Sequence, residues 1–232
     1  DQLDKLTFFP STTPVVLNVS ENYFSPDGKK ILFKNNDKWY YFELDSEGAV
    51  AREITALNLI PPSRLNFAKD NNLYGLVADD LYRINFTSDG LINYQSVLSK
   101  VIDYNIENSS SIIAVRNKDN EYYLTKYNFD GSDEKIIFNK LEIANRYRID
   151  YSNKKDVYAL LMPESGILNL VYQKEGSFIK ERVAEGITDM AFQSQGERLM
   201  YYNQNIVFCR DLDKEEKYQF DLGSEILSIE WY

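Results

Sequence analysis

Side chains able to move protons, hold metals or attack electrophiles are few along these 232 residues. There is no histidine, which removes the group that titrates nearest neutral pH and the commonest metal ligand, so triads built on imidazole are excluded. The lone Cys209 cannot close an internal disulfide, and within Ile206-Val207-Phe208-Cys209 it reads as a small buried hydrophobe rather than a reactive thiol. Carboxylates are plentiful, and a pair such as Asp103 and Asp189 has the chemistry of a general acid and base for glycoside cleavage at a separation of about 5 to 10 Å. Nothing in their spacing selects these two over the other acids. The Ser/Thr-x-Asp-x-Gly loop of some glycoside-active enzymes is absent, since Ser25-Pro26-Asp27-Gly28 and Thr87-Ser88-Asp89-Gly90 lack the residue between Asp and Gly. Asn117-Lys118-Asp119-Asn120-Glu121 comes nearest to a calcium loop, but it has no Gly to turn the backbone and reads as a strand-connecting turn. Glycine-rich phosphate loops are missing. The triplets Asn18-Val19-Ser20, Asn85-Phe86-Thr87 and Asn108-Ser109-Ser110 match the N-glycosylation pattern, which is frequent by chance. The reading therefore assigns no catalytic, cofactor-binding or metal-binding residue and expects no cofactor.

The elements that would position any site are strands. Of the residues, 14% are aromatic, with 18 Tyr and 13 Phe, and these side chains suit a pleated, half-buried surface. With 36 acidic against 26 basic residues the net charge is −10, so the field of the chain repels phosphate backbones and anionic headgroups. Nucleic acid is excluded as a partner on that ground. No apolar run approaches the roughly 20 residues of a membrane-spanning helix, so no direct membrane insertion is expected, and no signal peptide pattern is found. The chain begins at Asp1 rather than Met, as it would if a leader or upstream domain had been removed.

Two kinds of turn recur in step. The clearest unit is Phe24-Ser25-Pro26-Asp27-Gly28-Lys29-Lys30-Ile31-Leu32-Phe33, in which a strand ends at an aromatic, turns through Pro-Asp-Gly and resumes. Degenerate copies start at Phe67, Ile106, Tyr151 and Phe192, which with Phe24 gives spacings of 43, 39, 45 and 41 residues. Trp231 falls 39 residues later, where a sixth anchor belongs. A second polar turn follows each anchor by about half a period: Asp45-Ser46-Glu47-Gly48, Thr87 to Gly90, Phe129-Asp130-Gly131-Ser132, Lys174-Glu175-Gly176-Ser177 and Asp213-Lys214-Glu215-Glu216. Between the two turns lies an aromatic-rich third strand such as Trp39-Tyr40-Tyr41-Phe42-Glu43-Leu44, and after the second a weaker fourth, such as Lys135-Ile136-Ile137-Phe138.

Four strands in a unit of this length is the blade of a β-propeller. The expected fold is all-β: one propeller domain over residues 1–232, with about five four-stranded antiparallel blades at approximately 15–57, 58–100, 101–140, 141–186 and 187–224. Residues 225–232 are expected to form the first strand of a further blade, and Leu6-Thr7-Phe8-Phe9 resembles a fourth strand. These partial blades at the termini suggest a segment of a longer propeller, the rival being a five-bladed ring whose terminal strands pair. A two-layer sandwich would have to explain why both turns keep time.

Three positions before the anchors stand Glu21, Arg64, Asp103, Arg148, Asp189 and Ser228. By alternation they share a strand face with Tyr23, Asn66, Asn105, Asp150, Ala191 and Glu230. First strands converge in a propeller, so Glu21, Arg64, Asp103, Arg148 and Asp189 are expected to form a polar ring around a central channel. The charges alternate in sign from blade to blade. A self-neutralising ring of ion pairs is one reading, and a polar funnel for a small molecule, peptide or ion is the other.

The unit Phe24 to Phe33 resembles the TolB-like, WD40-like repeat, whose consensus runs aromatic-Ser-Pro-Asp-Gly-Lys and then an apolar strand. The match is close there, partial around Phe192 to Tyr202, and a matter of rhythm elsewhere. The aromatic-rich, histidine-free style is also similar to propellers found with PEGA domains in bacterial surface proteins, although no PEGA segment is present. The resemblance implies a bacterial, extracytoplasmic or cell-surface propeller and supplies no catalytic residue. The functional expectation is a non-enzymatic binding or protein-interaction scaffold with a protein, peptide or glycan as partner. The alternative is a histidine-independent, glycoside-active enzyme using inner-strand carboxylates. A third possibility is a propeller that only spaces a neighbouring domain.

Overall fold

A computed structural model describes residues 19–44, 51–55, 57, 62–86, 92–106, 110–152, 154–193, 196–214, 216–224 and 226. The first sheet holds β1 (Val19–Phe24), β2 (Lys30–Asn35), β3 (Lys38–Glu43) and β4 (Arg52–Glu53). The second holds β5 (Ser63–Phe67), β6 (Leu73–Val77), β7 (Asp80–Phe86) and β8 (Ile92–Leu98). The third holds β9 (Val101–Asn105), β10 (Ile112–Lys118), β11 (Glu121–Tyr127) and β12 (Lys135–Leu141). The fourth holds β13 (Arg148–Ser152), β14 (Val157–Met162), β15 (Ile167–Lys174) and β16 (Ser177–Ala184). The fifth holds β17 (Asp189–Phe192), β18 (Arg198–Asn203), β19 (Ile206–Asp211) and β20 (Lys217–Asp221). Within each sheet the strands pair antiparallel in chain order, so the architecture is the expected all-β propeller with five four-stranded blades. The terminal segments Leu6–Phe9 and 225–232, and the turns Asp45–Gly48 and Thr87–Gly90, lie outside the described residues apart from Ile226.

The turns explain the repeat. After four of the five anchors, the carbonyl of the next residue closes a four-residue β-turn: Ser25 accepts from Gly28 N at 2.8 Å, Ala68 from Asn71 N at 2.8 Å, Ser152 from Lys155 N at 3.3 Å and Gln193 from Gly196 N at 2.7 Å. In the first copy the Asp27 carboxylate also accepts from Ser25 Oγ at 2.5 Å and from Lys29 N at 3.0 Å, the side-chain mimicry that makes Asp a turn residue. Asn36-Asp37 and Asp119-Asn120 are two-residue hairpin tips with φ of 49° and 63°, and 54° and 63°. Two positive φ values in succession mark the type I′ turn that matches strand twist. The nearest approach to a calcium loop is thus the β10–β11 hairpin tip.

Packing divides the chain into two compact units, Asp1–Ser99 and Lys100–Tyr232. In the first, Leu32 and Trp39 of the first sheet meet Leu65, Phe67, Leu73 and Ile84 of the second. In the second unit, Ile113, Val115, Tyr122 and Leu124 of the third sheet meet Ile149, Tyr151, Tyr158 and Leu160 of the fourth. The opposite face of the fourth sheet, with Ala159, Leu161, Leu168 and Leu170, meets Met190, Phe192, Leu199 and Tyr201 of the fifth. The anchors Phe67, Tyr151 and Phe192 therefore each point back onto the preceding sheet. Phe24, at the same place in the first sheet, is 49% exposed.

Candidate functional site

The first strands of neighbouring sheets adjoin within each unit, β1 with β5, and β13 with both β9 and β17. This brings several of the expected polar residues to one edge of their unit. In the first unit, Glu21 Oε2 accepts from the Tyr23 hydroxyl at 3.3 Å and Oε1 from Lys34 Nζ at 3.4 Å. Arg64 has φ of 52° and sits in a bulge, because Ser63 is opposite Leu76 whereas Asn66 is opposite Tyr74. Two residues, Arg64 and Leu65, thus face the single Gly75. A bulge re-aims side chains and interrupts the two-residue period, so simple alternation does not carry through Arg64. Gly75 is what lets the bulge close: a Cβ there would lie 2.9 Å from both Leu65 Cδ2 and Pro62 Cβ.

In the second unit the registers of β13 and β17 are regular, and Arg148 reaches Asp189 on the adjoining strand at 2.5 Å. The guanidinium is about half exposed and the carboxylate largely covered. Asp103 is 4% exposed. Asp103, Asp150 and Asp189 share one local geometry, each carboxylate accepting from the following backbone N–H: Tyr104 at 2.7 Å, Tyr151 at 2.8 Å and Met190 at 2.7 Å. Strand β13 packs against both β9 and β17, so Arg148 stands between the strands of Asp103 and Asp189 and holds the second of them. A pair of carboxylates so engaged is poorly set for acid and base roles, which require one free proton acceptor facing the substrate.

The residues two places further along do something different. Asn105 Nδ2 donates to Ile149 O at 2.8 Å, and Asp150 Oδ2 accepts from Phe192 N at 2.6 Å. Each stitches its strand to the first strand of the next sheet. Asn105 is buried, and its Oδ1 faces no donor among the described residues, a cost of about 1–3 kcal/mol for a buried acceptor. The edge therefore offers a half-exposed cation, Arg148, while the spare acceptor of Asn105 is buried. Among the described residues no cluster of three or more His, Cys, Asp or Glu could hold a metal ion.

Sequence reasoning missed further stitches between sheets. Ser152 Oγ donates to Gly196 O at 2.5 Å, Arg210 grips Glu181 at 3.0 Å, and Lys180 pairs with Glu142. Ser152 and Gly196 are 44 residues apart, close to the repeat period, and polar pairs at that separation are the signal that could have revealed them. Cys209 is half-buried rather than buried. It lines a shallow cavity of about 360 Å³ with Arg198, Met200, Val207, Tyr218 and Phe220, and burial pushes its thiol above the ordinary 9.0. That is the opposite of the depressed value a nucleophilic thiol needs.

No protein-family model matches the chain, and no curated protein is similar to it in sequence. Solved structures do match. Virginiamycin B lyase from Staphylococcus aureus is 14% identical with a TM-score of 0.56, the match covering 90% of this chain and 73% of that one. TolB from Acinetobacter baumannii is 12% identical with a TM-score of 0.53, covering 92% and 58%. The WD40 domain of SCAP from fission yeast is 12% identical with a TM-score of 0.52, covering 89% and 56%. This chain thus spans less than two thirds of the length of the last two. At such identity the likeness extends to the fold alone, and in fold the chain is a β-propeller similar to the TolB and WD40 types.

Proposed function

We propose that this propeller is a non-enzymatic binding or interaction scaffold that engages a protein, peptide or glycan at the polar first-strand edge of Lys100–Tyr232, with Arg148 and Asp189 as the contact residues and Asp103 buried. Glu21 and Arg64 belong to the separate first-strand edge of the other unit. An extracytoplasmic setting in a bacterium accompanies this reading through the repeat resemblance alone. The observation that carries it is the engagement of the two carboxylates an acid–base mechanism would use. Asp103 is buried against the Tyr104 N–H, and Asp189 is held by Arg148 and the Met190 N–H. What stays open at that edge is the Arg148 guanidinium, a planar fork suited to carboxylates and to stacking rather than to proton transfer. One of the similar structures is a lyase by name, and that activity is a property of that protein. The test is a glycan and peptide array probed with the whole chain, followed by titration of any hit against Arg148→Glu. Loss of binding in the variant supports the reading, whereas unchanged affinity removes the edge from it. Turnover of chromogenic glycosides abolished by Asp103→Asn or Asp189→Asn would replace the scaffold by an enzyme.

A further inference from the structure

Four of the five outer strands are blunted against pairing with another chain. Strand β4 is two residues long, and the register with the outer strand shifts between Leu81 and Tyr82 for β8, on both sides of Leu124 for β12, and between Leu168 and Asn169 for β16. Shortness and bulges are the ordinary protection of an unpaired edge. Strand β20 has neither. It runs for five residues in unbroken register with β19, stands last in its sheet, and exposes every side chain from Lys217 to Asp221.

The bonds at either end of β20 fix which backbone groups face outward. Asp211 N donates to Glu216 O at 2.9 Å, and Leu222 N donates to Asn205 O at 3.0 Å. Inward-bonded residues alternate along an antiparallel strand, so Tyr218 and Phe220 also bond to β19, and the N–H and C=O of Lys217, Gln219 and Asp221 point away from the sheet. The side chains are symmetric in kind about Gln219, with the aromatics Tyr218 and Phe220 next to it and the opposite charges Lys217 and Asp221 beyond them. Asn205 Nδ2 and Gly223 N both donate to Asp221 Oδ1, at 2.7 Å and 2.8 Å, and hold that carboxylate at the edge.

We propose that β20 pairs antiparallel with β20 of a second copy of this chain, about a two-fold axis at Gln219, so that two fifth sheets become one continuous sheet. In that register Lys217 meets Asp221 and Gln219 meets Gln219 as hydrogen-bonded pairs, while Tyr218 meets Phe220 as the closer, non-hydrogen-bonded pair. Lysine on an edge ordinarily repels a second strand. Here each lysine faces an aspartate, and opposite charges and aromatic rings directly across are the stabilising cross-strand pairs. Sliding to the next hydrogen-bonded register loses both ion pairs, so charge selects the alignment. The strand is short and the contact small, so the dimer is weak, dissociating on the order of 100 μM.

Sedimentation equilibrium of the whole chain across that range tests the pairing. The parent should pass from monomer to dimer as concentration rises. Gln219→Pro removes an outward N–H and leaves the bonds to β19 in place, so it should stay monomeric. Lys217→Asp sets two like-charged pairs across the axis and should weaken the dimer about tenfold, whereas the same charge change at the exposed Lys118, in the third sheet, should not. The lysine variants decide the matter if the proline variant unfolds. A parent that stays monomeric up to about 1 mM overturns the proposal and leaves the edge to an extended segment of another protein. A dimer of parental affinity in Gln219→Pro or in Lys217→Asp overturns it as well, because another surface then joins the copies.

Discussion

The fourth and fifth sheets carry strands of the same order and the same two-residue alternation, and they differ in what lies against them. The fourth is covered on both sides: Tyr158, Leu160 and Val171 lie under the third sheet, and Ala159, Leu168 and Leu170 under the fifth. Among the described residues the fifth has one face, with Leu199, Tyr201 and Phe208, packed back on the fourth, while on the other Tyr202 is buried but Met200, Val207 and Cys209 are half-buried, and Phe220 on its outer strand is 55% exposed. Composition follows the difference only partly. Arg198 stands where the fourth sheet has Val157, yet Met200, Val207 and Cys209 remain as apolar as their counterparts. Burial in a repeat array is a property of the neighbour as much as of the residue, because each unit can hide its apolar faces only against the next.

The largest effect expected from this contrast is in core truncation. Leu170→Ala should cost about 2–5 kcal/mol in urea unfolding, since it leaves a cavity between two sheets, whereas Cys209→Ala should cost less than about 1 kcal/mol. Equal costs would erase the distinction between the sheets. Next is a pair of glycines in the turns at either end of β15. Gly166 has φ of 65°, and a Cβ there would lie 2.8 Å from the backbone of Gly186 and of Ile187. Gly176 has φ of 82° with nothing within 4 Å of an added Cβ. Gly166→Ala should therefore lose about 2–4 kcal/mol in thermal unfolding and Gly176→Ala about 1 kcal/mol, the second through backbone strain alone.

A smaller, pH-dependent effect sits on the joint between these sheets. The hydrogen bond from Arg210 holds the Glu181 carboxyl below its ordinary 4.5, against the opposing pull of burial. A depressed carboxylate contributes stability that is complete above its unfolded value and disappears as pH falls through its folded value. Stability should accordingly decline from about pH 4.5 downward, and Glu181→Gln should remove that part of the decline. An identical acid limb in the variant would show that the pair contributes nothing. Smallest is the Arg148–Asp189 pair at the first-strand edge. Because the guanidinium is half exposed, a double-mutant cycle should give a coupling of about 0–1 kcal/mol, so substitution there should move ligand binding without unfolding the protein.

Strand positions were legible because turn chemistry is local. The pattern from Phe24 to Phe33 becomes β1, a hydrogen-bonded turn and β2, and Trp39 to Leu44 is β3 with a one-residue offset. The candidate site was legible as a set of positions and less so as geometry. Alternation applies at Arg148 and Asp189, which lie on regular strands, but not at Arg64, whose left-handed bulge depends on Gly75 in another strand. Nor could it tell that Asn105 and Asp150, two places further on, would face the next sheet while Arg148 and Asp189 pair at the edge. Those outcomes depend on how far apart consecutive sheets stand, a distance no single repeat encodes.

The stitches made by Asn105, Asp150 and Ser152 join residues 44, 42 and 44 positions apart, so in Lys100–Tyr232 each rung is fastened chiefly to the rung after it. Such a ladder passes a disturbance along the chain. Cutting the Ser152 stitch with Ser152→Ala should speed amide exchange in the fourth and fifth sheets before it is felt in the third, so that a local lesion travels one rung at a time rather than collapsing the whole unit.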